Sequence, residues 1–495
     1  METVWQKLGR ARNRGVPIIV LASPDLPATL QGLRDKLNGS APVIHWNMSS
    51  GLTDLNKLGK EALREITDKP AAVTNPISML LAVTKAPDST IIVAEDLGAC
   101  LLETGTKGAA VATALLALRD PFKTTSRTLV LLEANVPQLA TLTNDVLVIE
   151  EPLPDREALS TMLDRVAESS SQELDAKTRD AAVDAVSGLS LFAAEQASYL
   201  SLYKTGLDLP KLWDRKRAMI GQTPGLSVRA DRETFKDVGG VANVKSFVKK
   251  LVKGKYPPKV ILFVDEIEKA LAGAGGDSSG VSQDFMGVLL TWLQDKGVSG
   301  MIFVGAAGSA KSMVAKCAGT EAGCPTVTLD LGGMKAQYVG QSEGRIRQAL
   351  KVIDAVGGDR VLAIATCNNI VSLPPELRRR FTFGTFFFDL PTTGERKVIW
   401  DLYLPKYGLS GDIPNDTGWT GAEIKQCCVI ADATGVSLDE AALTIVPVAK
   451  TDRDRIEQLR RMADGVFISA SYPGPYRADA PDNRSAAGRR NVVTE

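Results

Sequence analysis

Short apolar runs alternate with longer stretches of mixed polarity along most of the chain. In the first half the runs are PIIVL at 17–21, VIHWN at 43–47, TIIVAED at 90–96, RTLVLLE at 127–133 and DVLVIE at 145–150. Their length and Val/Ile/Leu content predict five strands, and the intervening stretches are long enough for helical crossovers. Residues 1–150 therefore read as an α/β domain with a largely parallel sheet. From EPLPDREAL the pattern turns helical, which predicts a lid-like segment over 151–210, and the Gly-, Pro- and charge-rich GQTPGLSVRADRETF predicts a linker within 211–234.

The second half repeats the plan. VILFVDE at 260–266, MIFVG at 301–305, TVTLDL at 326–331, RVLAIAT at 360–366 and TFFFDLP at 385–391 predict an α/β core over 235–392, followed by a helical lid over 393–464. EPLPDRE at 151–157 echoes FDLPTTGE at 388–395, and GLSLFAAEQA at 188–197 echoes GWTGAEIKQC at 418–427, so the halves read as a weak internal repeat. The Pro-, Gly- and charge-rich end predicts a flexible tail over 465–495.

Composition narrows the function classes. Basic and acidic residues balance at 58 each, so no whole-chain field draws the protein to nucleic acid or an anionic membrane. No apolar run approaches the ~18 residues of a membrane span, and METVWQKLGRARNRG leads only into the short PIIVLA, so a cytoplasmic location is expected. The six cysteines show no C-x-x-C spacing, which favours buried reduced thiols. The single histidine, His45, lies in an apolar run, which argues against Ser-His-Asp, Cys-His and multi-histidine metal chemistry.

One constellation carries chemistry. Gly305, Ala306, Ala307, Gly308, Ser309, Ala310, Lys311 and Ser312 follow an apolar run and precede a helix-compatible stretch beginning at Met313. Backbone N–H groups at such a helix start can cradle phosphates, Lys311 can reach them, and the Ser312 hydroxyl can ligate Mg²⁺. Ala310 stands where the usual pattern has its last glycine. Asp265 and Glu266 end a buried run, so one carboxylate can hold the metal while the other polarises an attacking water. Asn368, past the end of RVLAIAT, is suited to orienting that water. Arg378, Arg379 and Arg380 form a basic cluster able to stabilise phosphoryl charge in a neighbouring subunit.

The run from FKDVGG at 235 through the phosphate loop, YVGQSEGRIRQ, ATCNNIVSLPPEL, RRRF, FFFDLPTTGERK and GWTGAEI resembles the AAA family of ATPases. It is most similar to the AAA proteins of cyanobacterial and algal plastid genomes, which pair a degenerate N-terminal domain with a C-terminal AAA module. The resemblance implies a P-loop NTPase fold with a helical lid, preceded by a degenerate domain with its own helical segment. By it, Asp265 and Glu266 are Walker B, Asn368 is sensor 1, and the finger is drawn from Arg378, Arg379 and Arg380, in a PPELRRRF one residue shorter than the family's pattern. Val238, Gly239, Met313, Gly421 and Ala422 would touch nucleotide, and Tyr338 with Val339 resemble the pore loop of katanin- and spastin-like proteins. The chain, like that family, has no sensor 2 arginine at GWTGAEI.

One departure is large. In the family the phosphate loop precedes Walker B, whereas here VDEIEKA comes about 40 residues before GAAGSAKS. If the site is kept, VILFVDE must share a parallel sheet with MIFVG and RVLAIAT, the Asn368 strand must lie between the other two, and Ser312 and Asp265 must approach within about 3 to 6 Å. In the first half, the loop after PIIVL lacks Gly-Lys-Ser/Thr, and Glu95 and Asp96 have no partner loop. The expected protein is an ATP- and Mg²⁺-dependent ATPase assembling as a homo-oligomer, with six copies the expectation, that remodels or threads a macromolecular client, a protein being one candidate. Nucleic acid and membrane are not indicated. The alternatives are an ATP-binding switch or scaffold with little turnover, or a DNA-directed AAA helper.

Overall fold

The computed structural model describes residues 3–101, 106–134, 136, 145–228, 233–270, 281–331 and 342–479, apart from 38, 40, 205 and 374. The chain divides into two compact units, Met1–Leu212 and Trp213–Glu495.

The first unit holds β1 (Ile18–Ala22), β2 (Val43–Asn47), β3 (Gly51–Asp54), β4 (Ile91–Glu95), β5 (Thr128–Glu133) and β6 (Leu147–Glu150) in one sheet of order β3-β2-β4-β5-β1-β6. Every pairing is parallel except that of β3 with β2. Continuous apolar runs suit such a sheet because both faces are covered. Ile18 and Val20 enter one core cluster while Ile19 and Leu21 enter the other. Each side chain so buried stabilises the fold by roughly 1.5–3 kcal/mol. Helices Arg156–Ser169, Ala176–Val186 and Leu191–Tyr199 follow, capped by Asp155, Asp175 and Ser190, and a short hairpin of β7 (Leu202–Tyr203) and β8 (Gly206–Leu207) comes after them.

The second unit holds β9 (Leu226–Val228), β10 (Val260–Val264), β11 (Ser299–Gly305), β12 (Thr326–Leu329), β13 (Val361–Cys367), β14 (Thr385–Phe388) and β15 (Ile468–Ser469), in the order β15-β14-β11-β13-β10-β12-β9. Here β9 is the antiparallel member, on β12. Set beside the first sheet, the run β14-β11-β13-β10-β12-β9 matches β6-β1-β5-β4-β2-β3 place for place, including the antiparallel strand at one end. The matching ends also share a backbone twist: Asp96, just after β4, has φ 55°, and Glu266, just after β10, has φ 48°. The chain order differs. In the first unit β4 comes after β1, whereas its counterpart β10 comes before β11, the counterpart of β1.

Five strands lie outside the ten apolar runs: β3, β9 and β15 in the two large sheets, and β7 and β8 of the hairpin. All are short, two to four residues, and take their order from a neighbouring strand rather than from a long apolar run. The stretch 211–234, expected as linker, contains most of helix Leu209–Ile220 as well as β9. Leu212, Lys216 and Ile220, four residues apart, are buried on one side of that helix, a periodicity masked by its charges. Residues 465–479, expected as flexible tail, are folded: β15 pairs with β14, the Tyr476 ring meets Phe387 at 4.6 Å, and its hydroxyl donates to Asp389 over 2.6 Å. Among the described residues no helix is long and apolar enough to cross a membrane.

Candidate nucleotide site

Strand β11 is almost wholly buried and delivers the chain at Gly305 to a loop that ends where helix Lys311–Ala322 begins. Two glycines in that loop are sterically required. A Cβ on Gly305 would lie 2.1 Å from the Phe388 carbonyl oxygen, and one on Gly308, which has φ 77°, would lie 2.8 Å from Thr420 Oγ1. Ala310 has φ 68° and ψ 10°, the left-handed region. That conformation explains why glycine is usual at this place, and alanine holds it at a cost of roughly 1–2 kcal/mol. Lys311 is 6% exposed, and its Nζ donates to the carbonyls of Gly305 at 2.8 Å and Ala306 at 2.6 Å. Burial pushes its pKa down to about 8, against the pull of Glu268, Asp265 and Glu266.

The acidic pair meets this loop. Ser312 Oγ donates to Asp265 Oδ1 at 2.8 Å, a direct hydrogen bond slightly shorter than the range inferred from sequence. Strand β13 lies between β10 and β11, parallel to both, and supplies the remaining polar groups. Its Thr366 hydroxyl donates to Asp265 Oδ1 at 2.6 Å and accepts the Glu266 backbone N–H at 2.9 Å. Glu266, turned by its positive φ, accepts from Asn368 Nδ2 at 2.9 Å and pairs with Lys269. Asn368 is fixed on its backbone too: its N–H donates to Glu268 at 2.7 Å, and its carbonyl accepts from Arg455 Nη2 at 3.2 Å.

A cavity of about 470 Å³ opens over these groups. It is lined by Ala307 to Met313, Asp265, Glu266, Thr366 and Asn368 at one end and by Val238, Gly239, Ile399, Tyr403, Gly421 and Ala422 towards the lid. The fit at the lid is close, since a Cβ on Gly239 would stand 2.4 Å from Ile399 Cγ1. A backbone loop at a helix start, a buried lysine and a hydroxyl hydrogen-bonded to a carboxylate make a donor set that fits a phosphate chain and Mg²⁺.

The counterpart loop in the first unit is closed by its own side chains. Asp25 accepts the Ala28 N–H at the start of helix Leu26–Lys36, Ser23 and Thr29 share a 2.6 Å hydrogen bond, and Thr29 donates to Glu151. Carboxylates thus occupy the helix start where an anion would have to sit. Glu95, at the end of β4, bonds instead to buried His45 at 3.0 Å.

The cavity lining includes every nucleotide-contacting residue expected from the sequence except Gly305 and Ala306, which line a second cavity behind the loop. Arg378, Arg379 and Arg380, on helix Pro375–Arg380, line neither, and Arg380 bonds Gln294. Tyr338 and Val339 lie outside the described residues. Thr366, Glu268 and Arg455 were not singled out from the sequence. Thr366 was hidden as one β-branched residue among the apolar residues of β13, and Arg455 lies 87 residues from its partner.

Residues 6–151 match the N-terminal domain of SpoVK-like AAA ATPases, 157–223 match the second domain of the same group, and 301–357 match the AAA family, the ATPase family associated with various cellular activities. These stretches leave 224–300, which holds β10 and its carboxylates, outside them. An uncharacterized AAA domain-containing protein, ycf46, of Guillardia theta is 24% identical over 411 residues, covering 70% of this chain and 74% of the relative. Its namesake in Pyropia yezoensis is 23% identical over 411 residues, covering 70% and 77%. Among solved structures, the FIGL-1 AAA domain is 15% identical with a TM-score of 0.32, covering 50% of this chain and 94% of that one. With matches to AAA models in both halves and a parallel sheet carrying a phosphate loop, the chain belongs to the AAA family of ATPases.

Proposed function

We propose that the second unit binds ATP with Mg²⁺ and hydrolyses it. The observation that carries this reading is the polar chain Ser312–Asp265–Thr366–Glu266–Asn368, assembled across three adjacent parallel strands at their C-terminal edge, where open α/β sheets take ligands. Lys311 and the loop N–H groups bind the phosphates. Mg²⁺ held by Ser312 and Asp265 supplies charge neutralisation. Glu266 accepts a proton from water, and Asn368 keeps its carboxylate aimed. The matched strand orders of the two sheets support a further reading: β10 has been moved in the chain from behind the phosphate-loop strand to in front of it, with its place in the sheet kept. Arg378, Arg379 and Arg380, lying outside their own chain's cavity, serve the site of an adjoining copy in a ring that acts on a macromolecular client.

Phosphate release measured with and without Mg²⁺ tests this. Wild type is expected to turn over only with Mg²⁺, Lys311→Ala to lose ATP binding, and Glu266→Gln to bind ATP but lose turnover by about 100-fold or more. Equal turnover by Glu266→Gln and wild type would remove Glu266 from the chemistry.

A further inference from the structure

The overall charge balance hides a local excess. Between Asp237 and Asp265 the chain carries Lys245, Lys249, Lys250, Lys253, Lys255 and Lys259 and no acidic residue. Most of them ride on helix Ala242–Val252 and the turn after it. Val244, Val248 and Val252 are buried on the inner side of that helix, which leaves Lys249 and Lys250 on the outer side, while the half-buried Lys245 donates to the Val238 carbonyl over 2.6 Å. Lys249, Lys250, Lys253 and Lys255 are exposed, and among the described residues none of these four forms an ion pair. A shallow trough of about 640 Å³ runs along this face, lined by Ala242, Lys245, Ser246, Lys249, Lys250 and Lys253. Beyond it Tyr256 is 72% exposed, with the Lys255 ammonium 5.2 Å from its ring centre.

We propose that this face binds single-stranded nucleic acid. A surface holding several like charges without counter-charges gains when a polyanion releases its condensed ions. Lys249 and Lys253, one helical turn apart, stand about 6 Å apart along the helix axis, on the scale of successive phosphates along one strand. An exposed tyrosine at the end of the lysine row offers a ring on which an unpaired base stacks, which distinguishes a single strand from a duplex whose bases are already stacked. An anionic membrane fits less well. The apolar side of the helix is committed to the protein core, so it has nothing to insert between lipids. The reading is independent of ATP turnover, because Lys249, Lys250, Lys253 and Tyr256 lie outside the lining of the nucleotide cavity.

Fluorescence anisotropy of the full chain with a labelled 20-nucleotide oligo-dT and with a 20-base-pair duplex provides the test, with phosphatidylserine vesicles as a competitor. If about four phosphates are neutralised, the logarithmic salt slope for the single strand is about −3, which weakens binding roughly 50-fold between 50 and 200 mM salt. Lys249→Gln/Lys250→Gln/Lys253→Gln is expected to flatten the slope by about 2. Tyr256→Ala, at a ring outside every core cluster, is expected to weaken single-strand binding about tenfold, leave duplex binding unchanged and keep the salt slope. Absence of binding at 50 mM salt, equal binding by the triple variant, or displacement by vesicles with no preference for the single strand would overturn the proposal.

Discussion

The Thr366 hydroxyl donates to Asp265 Oδ1 over 2.6 Å, tying the middle strand of the site to the strand that carries its carboxylates. The same oxygen accepts the Glu266 N–H, so one side chain sets both acidic residues. Thr366→Val keeps the shape and removes both bonds. The expected outcome is a 10- to 100-fold fall in kcat with ATP affinity within about threefold of wild type, and a stability loss of about 1–3 kcal/mol from the orphaned Glu266 N–H. Steady-state turnover, nucleotide titration and chemical denaturation measure the three quantities, and unchanged kcat would reduce Thr366 to a packing residue.

The parts legible in the sequence are those in which chemistry and local pattern coincide. Val260–Val264 is buried at every position, so an unbroken apolar run announces the strand, and the carboxylates follow at once. The Gly-Ser-Ala-Lys-Ser loop has few local alternatives, since its glycines and lysine sit between a buried strand and a helix. What could not be read depended on distant partners. Ser469 joins β14 only because the chain returns from beyond the lid, and Tyr476 is buried by contact with Phe387 and Asp389, 89 and 87 residues earlier by number. Prolines and glycines around that tyrosine describe the loop and not its anchor.

Arg455 reaches from helix Arg453–Ala463 to the carbonyl of Asn368, opposite the N–H held by Glu268. In the proposed mechanism it is a positioning residue for Asn368. Arg455→Ala is expected to lower kcat about 5- to 20-fold with KM nearly unchanged, because the orientation of Asn368 bears on turnover rather than on nucleotide binding. Arg455→Lys keeps a donor and should recover part of the loss. A rise in KM alone, or a fall in melting temperature that accounts for the lost activity, would make the contact structural.

Ala310 offers a test of backbone strain. Ala310→Gly removes roughly 1–2 kcal/mol of left-handed strain and adds about 0.4–1 kcal/mol of unfolded-chain entropy, so the net effect is a gain between about zero and 1.6 kcal/mol. Ala310→Val, β-branched at the same φ, should lose about 2 kcal/mol or more. Urea denaturation of the three proteins without nucleotide gives the ordering. A glycine variant less stable than wild type by more than 1 kcal/mol would contradict the left-handed geometry of this loop.

The depressed pKa of Lys311 has a measurable sign. Burial brings it to about 8 from 10.5, so above pH 8 the nucleotide-free chain sheds a proton that the unfolded chain keeps. Stability of the nucleotide-free protein therefore rises with pH through the window from about 8 to 10.5, because the unfolded state binds more protons there. Nucleotide binding runs the other way. Phosphate oxygens beside the ammonium favour its charged form and raise the pKa again, so complex formation near pH 8.5 takes up about half to one proton, and affinity declines as pH climbs beyond 8. Calorimetric titration with Mg²⁺-nucleotide in buffers of different ionisation enthalpy counts that proton directly. Uptake should grow between pH 7.5 and 9, where the nucleotide's own phosphates no longer titrate. A proton count that stays at zero across this interval would mean that Lys311 is already fully charged in the free protein, and that its 2.6 and 2.8 Å bonds to the loop carbonyls compensate its burial.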